Sequence, residues 1–294
     1  MVTFTADYCF CSLVNKMPNP IELNSPITFH INNSLSVRLY PDNRPCNLEI
    51  SALQKGLVLL KNGLELIEEG AGFGVPVIKY SDHCFFSGSA QTYVHEMDDN
   101  KAVFTKLFDL NTISRKQIYG AFIQEDLYSI FQKSFERAYH GRKNLRAIFD
   151  WLIWLRKSLG VETQFVNVES RGKVAVTYSC SCNQVSIHID LSALNCFDCK
   201  EILILNEQGA NFFRKYSDSS GKTLLNDKIE AWEKVSAEYA SMSDLSGQLS
   251  FSLKNVGGSL FRGREFVPQR FCWSGLAFAL NPEIRYFEYN IVLE

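Results

Sequence analysis

Apolar and polar positions alternate over two long stretches of the chain and fall at helical spacing over a third stretch between them. From Ser34 to Gly70, short apolar runs are broken by turn residues, as in "SLSVRLYPDN" and "GLVLLKNGLELIEEG". Asn62-Gly63 sits between two such runs, and both residues tolerate positive φ, so the segment reads as a β-meander with a tight hairpin. Strands are expected to continue through "HCFFSGSAQTYVHEM" and "AVFTKLFDL". The period then changes. Leu127, Ile130, Phe131, Phe135 and Ala138 make one helical stripe with Gly141 as a C-cap, and Leu145, Ile148, Phe149, Leu152 and Leu155 make a second closed by Gly160. This predicts a helical hairpin over 122–160 inserted into a β-protein. Alternation returns in "KVAVTYSCSCNQVSIHIDL", "EILILNEQG", "QLSFSL", "RFCWSGLAFAL" and "IRYFEYNIVLE". "AWEKVSAEYASMSDLSG" fits both periods in its first half, and the turn at its end favours a hairpin. The expected fold is mainly β, a large antiparallel β-sandwich over 1–294 with an irregular segment at 1–33 and the helical hairpin inserted.

Three closely spaced glycines in "EEGAGFGVPVIKY" (Glu68–Tyr80) raise the question of a phosphate cradle. Such a cradle must open a helix, whose free N–H groups hold the anion. Here Gly74 is followed by Val75, Pro76, Val77 and Ile78, a β-branched run, and no Gly-Lys-Ser/Thr follows. The glycines are read as a bend or bulge between strands.

Composition narrows the classes. With 46% apolar and 21% charged residues the 294-residue chain can build a substantial core, and its formal net charge of −2 lacks the basic footprint of a nucleic-acid binder. No apolar run is long enough to span a bilayer, and the opening residues lack a cationic and apolar leader pattern, so a cytoplasmic location is expected. Nine cysteines, an odd number, suit free thiols. No cofactor motif is present and none is expected.

Several constellations carry candidate chemistry. Cys180-x-Cys182 and Cys196-x2-Cys199 offer four soft ligands, but the first spacing is unusual for zinc, and we read all four as ordinary thiols with no metal. His188 and Asp190 share a strand face in "SIHID", where an imidazole beside a carboxylate can move protons; the plainer reading is a solvated polar face. Asn206, Glu207 and Gln208 follow the apolar run "EILIL", at a strand end where clefts are lined. Arg262, Arg264, Glu265 and Arg270 lie within a few residues of Trp273. Guanidinium forks bind carboxylates and an indole face stacks on a sugar ring, a mixture suited to a sugar or uronate. The alternative is that the arginines pair with Glu265 or Glu207 and Trp273 is core.

The meander, the buried runs with polar ends and the final "FEYNIVLE" strand resemble the galactose-mutarotase-like supersandwich proteins, over Ser34–Leu110 and Lys173–Glu294. The helical hairpin has no place in that pattern. The resemblance implies a sugar-binding sandwich, with or without catalysis of the epimerase or lyase type. It makes His188 and Glu207 the analogues of an acid–base pair, and it is architectural only. The expected ligand is a small sugar or uronate, with no nucleic acid and no membrane as partner. A different class of reading is a non-catalytic interaction protein or homo-oligomer that uses Trp151 and Trp154 on the hairpin surface.

Overall fold

The computed structural model describes residues 20–41, 55–67, 70–81, 84–86, 89–110, 112–118, 162–168, 170–267 and 271–294. The chain divides into two compact units, Met1–Thr112 with Glu169–Glu294, and Ile113–Val168. At the second unit the strands Thr112–Ile118 and Glu162–Val168 pair as a two-stranded sheet.

Among the described residues the larger unit holds three antiparallel sheets. A ten-stranded sheet is ordered Ile21–Glu22, Ser89–Met97, Ala102–Asp109, Lys173–Ser181, Gln184–Asp190, Tyr286–Leu293, Ser250–Lys254, Tyr239–Ser243, Lys215–Asp218 and Thr223–Leu225. A six-stranded sheet is ordered Glu233–Lys234, Ser259–Val267, Phe271–Leu280, Cys199–Gly209, Gly72–Tyr80 and Cys84–Phe86. The meander Ile27–His30, Leu35–Leu39, Val58–Lys61 and Leu64–Glu65 makes a four-stranded sheet, with Asn62 and Gly63 both at positive φ in the expected hairpin turn. The ambiguous segment resolves as strands, and Tyr239–Ser243 pairs with Ser250–Lys254 across the predicted turn.

The ten- and six-stranded sheets face each other as a β-sandwich. Alternation puts Val174, Val176, Tyr178 and Cys180 of one sheet, and Ile202 and Ile204 of the other, wholly out of water. Rings bridge the layers edge to face: Phe73 against Phe251 at 5.1 Å and Phe278 against Phe287 at 5.0 Å between centroids. Such aromatic pairs add roughly 0.5–1.5 kcal/mol each beyond the area they bury.

The expected helical component is corrected. Among the described residues the chain makes no α-helix, only a single 3-10 turn at Asn226–Lys228. The segment 122–160, with Trp151 and Trp154, lies outside the described residues. Physically, the two sheets close their aromatic core against one another, so this layer needs no helix to cover it. No helix among the described residues is long and apolar enough to cross a membrane.

The glycine-rich stretch opens a strand, Gly72–Tyr80, and not a helix. Gly74 has φ +76°, and the register against Cys199–Gly209 slips there: Leu205 pairs with Val75, but Asn206 pairs with Phe73. Gly74 is therefore the extra residue of a β-bulge, as its sequence suggests. Its N–H, lost to the ladder, donates to Asn206 Oδ1 at 3.1 Å, and the same oxygen accepts Tyr289 O–H from the facing sheet at 2.7 Å. A side chain at Gly74 would press on the Tyr178 ring from 3.0 Å, and Tyr178 O–H donates to the Phe73 carbonyl.

Replacing this acceptor strands two buried donors, at about 1–3 kcal/mol each. Asn206→Leu is expected to lower the unfolding free energy by about 2–4 kcal/mol in a denaturant titration, and Tyr289→Phe by clearly less. A loss below about 0.5 kcal/mol for Asn206→Leu would show that the bulge does not need its cap.

Candidate functional site

The polar end of the strand Cys199–Gly209 sends its side chains to both faces of the six-stranded sheet. Asn206 and Gln208 point inward. Asn206 caps the bulge, and Gln208 places its carboxamide against the meander, accepting Leu59 N–H at 3.3 Å and donating to the Leu57 carbonyl at 3.4 Å. Both are fully buried and hydrogen-bonded, so these two expected ligand-binding residues hold strands together.

Glu207 points outward, into a row defined by register. It lies opposite Gly72 on one side and Gly275 on the other, and Gly275 lies opposite Gly263. A single carboxylate therefore stands on a floor of three glycines running across four strands. Trp273 and Glu265 face each other on the same side, one pleat along. A Cβ on Gly70 would sit 3.4 Å from the Glu207 Cβ and 3.5 Å from the Trp273 Cβ, so these two side chains flank the same point.

A second indole completes the group. Trp232 stacks on Trp273 with ring centroids 4.7 Å apart and planes 15° from parallel. Gly263 is what lets them approach: a Cβ there would lie 2.9 Å from Trp232 N and 3.0 Å from the Trp273 ring. Trp232 has φ +38°, with Glu230 at +60° and Asn226 at +50° in the same loop. For a bulky residue this region is a steric outlier, and such strain gathers where surrounding structure holds a residue in place. Here the Arg264 N–H donates to the Glu230 carbonyl at 2.8 Å, and Glu233–Lys234 pairs with Phe261 and Arg262.

Burial pushes the Glu207 carboxyl up to about 7 from an ordinary 4.5; the Ala71 N–H, donating to Oε2 at 3.0 Å, pulls it down, and the nearby charge of Glu265 pushes it up again. A carboxyl with this affinity for protons, next to a second carboxyl, is poised to give or take a proton near neutral pH.

The other expected site residues lie elsewhere. Arg262 and Arg264 occupy the inner face, opposite in direction to Trp273 and Glu207. Arg262 pairs with Glu233 and lies over the Tyr216 ring at 4.9 Å, and Arg264 pairs with Asp227 at 3.3 Å and donates to the Ala210 carbonyl. Arg270 is outside the described residues. His188 is on the ten-stranded sheet, 4.0 Å from Glu288 and stacked on Tyr286, so the structure does not bring it to Glu207. The close cysteine pairs are also separate. Cys180 is buried, with its thiol pushed up to about 12 by desolvation, and the pair Cys180/Cys182 flanks one end of the seven-residue strand Gln184–Asp190. Cys196 and Cys199 follow its other end, about 20 Å away at the rise of a strand.

Sequence reasoning did not single out Trp232 or the glycine row. Trp232 lies in the segment that fits two periods, and its signal was a lone indole between Glu230 and Glu233. The glycine row is invisible until register lines up four strands.

Because the folded state holds the Glu207 proton more tightly than the unfolded chain, it loses stability as pH rises from 4.5 through about 7. At 1.36 kcal/mol per pH unit that loss is roughly 3 kcal/mol once both states are ionised. Glu207→Gln is expected to be more thermostable than the parent at pH 8 and to lose that advantage at pH 5. Equal melting shifts at both pH values would refute the raised carboxyl.

Compared with known proteins, the chain matches no family model, no curated protein and no solved structure.

Proposed function

We propose that the outer face of the six-stranded sheet binds a neutral carbohydrate and, if it turns it over, does so by proton transfer from Glu207. The observation that carries this reading is the stacked Trp232–Trp273 pair held beside a carboxyl of raised proton affinity. An indole face offers a flat apolar surface to the C–H face of a pyranose ring. Trp232 is the outer of the two, 36% exposed, and is available to a ligand.

Glu207 serves as general acid to a glycosidic or hydroxyl oxygen, and Glu265 supplies the second carboxyl that such chemistry uses as base or nucleophile. The choice of a neutral sugar over a uronate follows from charge. Two carboxyls share the site, while Arg262 and Arg264, the arginines expected to hold a uronate, are paired on the other face and do not reach it.

The test is a panel of neutral mono- and oligosaccharides read by thermal shift and by indole fluorescence. A ligand at a hundred times its Kd stabilises by about 2.7 kcal/mol, a readable shift. Trp273→Ala and Trp232→Ala are each expected to weaken binding about tenfold or more, close to 1.4 kcal/mol. Glu207→Gln should bind within a few-fold of the parent and lose turnover. A panel that leaves both melting and fluorescence unchanged, or a Trp273→Ala variant that binds as well as the parent, removes the proposal.

A further inference from the structure

A separate cluster of nucleophilic side chains lies at the opposite end of the strand that carries Glu207. Cys196, Phe197, Asp198 and Cys199 form one tight turn, in which the Cys199 N–H donates to the Cys196 carbonyl at 3.1 Å and Asp198 takes a left-handed φ of +61°. Asn195 Oδ1 accepts the Phe197 N–H at 3.0 Å, and Ser81 N–H donates to the Asp198 carbonyl at 3.2 Å, so the turn is anchored on both sides. A turn of this kind brings its first and last Cα atoms to within about 7 Å, which overlaps the span of about 4.4–6.8 Å that a disulfide needs. Both thiols are free and half-buried.

The two sulfurs are unlike. Arg285 Nη1 lies 2.7 Å from Cys196 Sγ, in direct contact with that sulfur, while at Cys199 its charge is a smaller influence than burial and the neighbouring Cys196. Cys199 is withdrawn: burial, and next the neighbouring Cys196, push its thiol up to about 11. Between them Phe197 stands 76% exposed, an apolar contact for whatever approaches the turn.

We infer that Cys196 and Cys199 are a redox-active dithiol, in which Cys196 is the attacking sulfur and Cys199 the resolving one. With hydrogen peroxide as oxidant, Cys196 sulfur displaces hydroxide from the peroxide O–O bond and becomes a sulfenic acid. The Cys199 sulfur then attacks that sulfenic sulfur, its proton leaves with the departing hydroxyl as water, and the S–S bond forms. The dithiol loses two electrons and two protons, and one peroxide becomes two waters. Arg285, in direct contact with the Cys196 sulfur, holds it for attack, a positioning role.

The test uses the full chain and hydrogen peroxide, followed by alkylation and cleavage before aspartates. That digestion separates Asp190–Phe197 from the piece beginning at Asp198, so a Cys196–Cys199 bond holds the two together until reduction. The expected result is this linked pair, two mass units lighter than the sum of the reduced peptides. In Cys199→Ser the Cys196 sulfenic acid should accumulate and be trapped by dimedone, while Cys196→Ser should leave Cys199 unmodified. Arg285→Gln should slow formation of the linked pair about tenfold. Recovery of both peptides separately alkylated, a bond from either cysteine to a third, or direct conversion of Cys196 to sulfinic acid in the parent protein would each overturn the inference. So would an Arg285→Gln variant that oxidises at the parent rate, as regards the arginine's role.

Discussion

The hydrogen bond from the Gly74 N–H to the Asn206 carboxamide decides which way the middle of the six-stranded sheet faces. A bulge adds one residue to one strand, and one residue of shift exchanges the two faces beyond it. On the Pro76 side of the bulge, Ile204 lies opposite Pro76; beyond it, Asn206 lies opposite Phe73 and Glu207 opposite Gly72. Without the slip Phe73 would stand outward beside Glu207. With it, Phe73 turns into the core against Phe251, and the residue opposite the carboxyl is Gly72, at φ +81° and so close to the Gly56–Leu57 backbone that a Cβ would lie 2.9 Å from the Leu57 carbonyl oxygen. The bulge is thus both a packing device and the means by which an acid comes to stand on a glycine floor. Its backbone cost is met by three buried side chains: Asn206 takes the freed N–H, Tyr289 completes the carboxamide, and Tyr178 takes the Phe73 carbonyl.

The three consecutive polar residues Asn206, Glu207 and Gln208 illustrate how one pattern serves two ends. The outer two face the core, where a polar group is tolerated only if hydrogen-bonded, and each of them is. The middle one is 6% exposed, with the Ala71 N–H as its backbone donor and a second carboxyl nearby. Its desolvation is therefore only partly offset, and its proton affinity rises. The arginines show the opposite balance, because Arg262 and Arg264 bring their own carboxylates from the loop at Asp227 and Glu233. They brace that loop and so indirectly hold Trp232 over Trp273.

One strand links the two reactive places. Cys199–Gly209 starts at the thiol turn and reaches Glu207 near its other end, eight residues on and about 26 Å away at strand rise. Its middle, Ile202 and Ile204, is fully buried and has no chemistry to offer. Reactive groups collect at the two ends for the same reason: only there does a central strand meet backbone turns and water.

Local pattern determined a good deal. Alternation in the runs around Val174–Cys180 and Val185–Ile189, the Asn62-Gly63 hairpin and the β-branched tail after Gly74 were enough to specify strands, a tight turn and a bulge, because each depends on backbone preferences and side-chain period within a few residues. It also marked Glu207 and Trp273 as residues of interest. The period-3.6 stripe over 122–160 pointed to helices that the described residues do not include. What only the tertiary structure decided was company. Arg262 and Arg264 differ from Glu265 and Trp273 by a single step of alternation and register, which puts the former in the core and the latter outside. The partnership of Trp232 with Trp273, the Gly72–Gly275–Gly263 floor, and Arg285 beside Cys196 join residues far apart along the chain. Nothing local can encode such pairings, since they arise from which strands lie side by side and which face each presents.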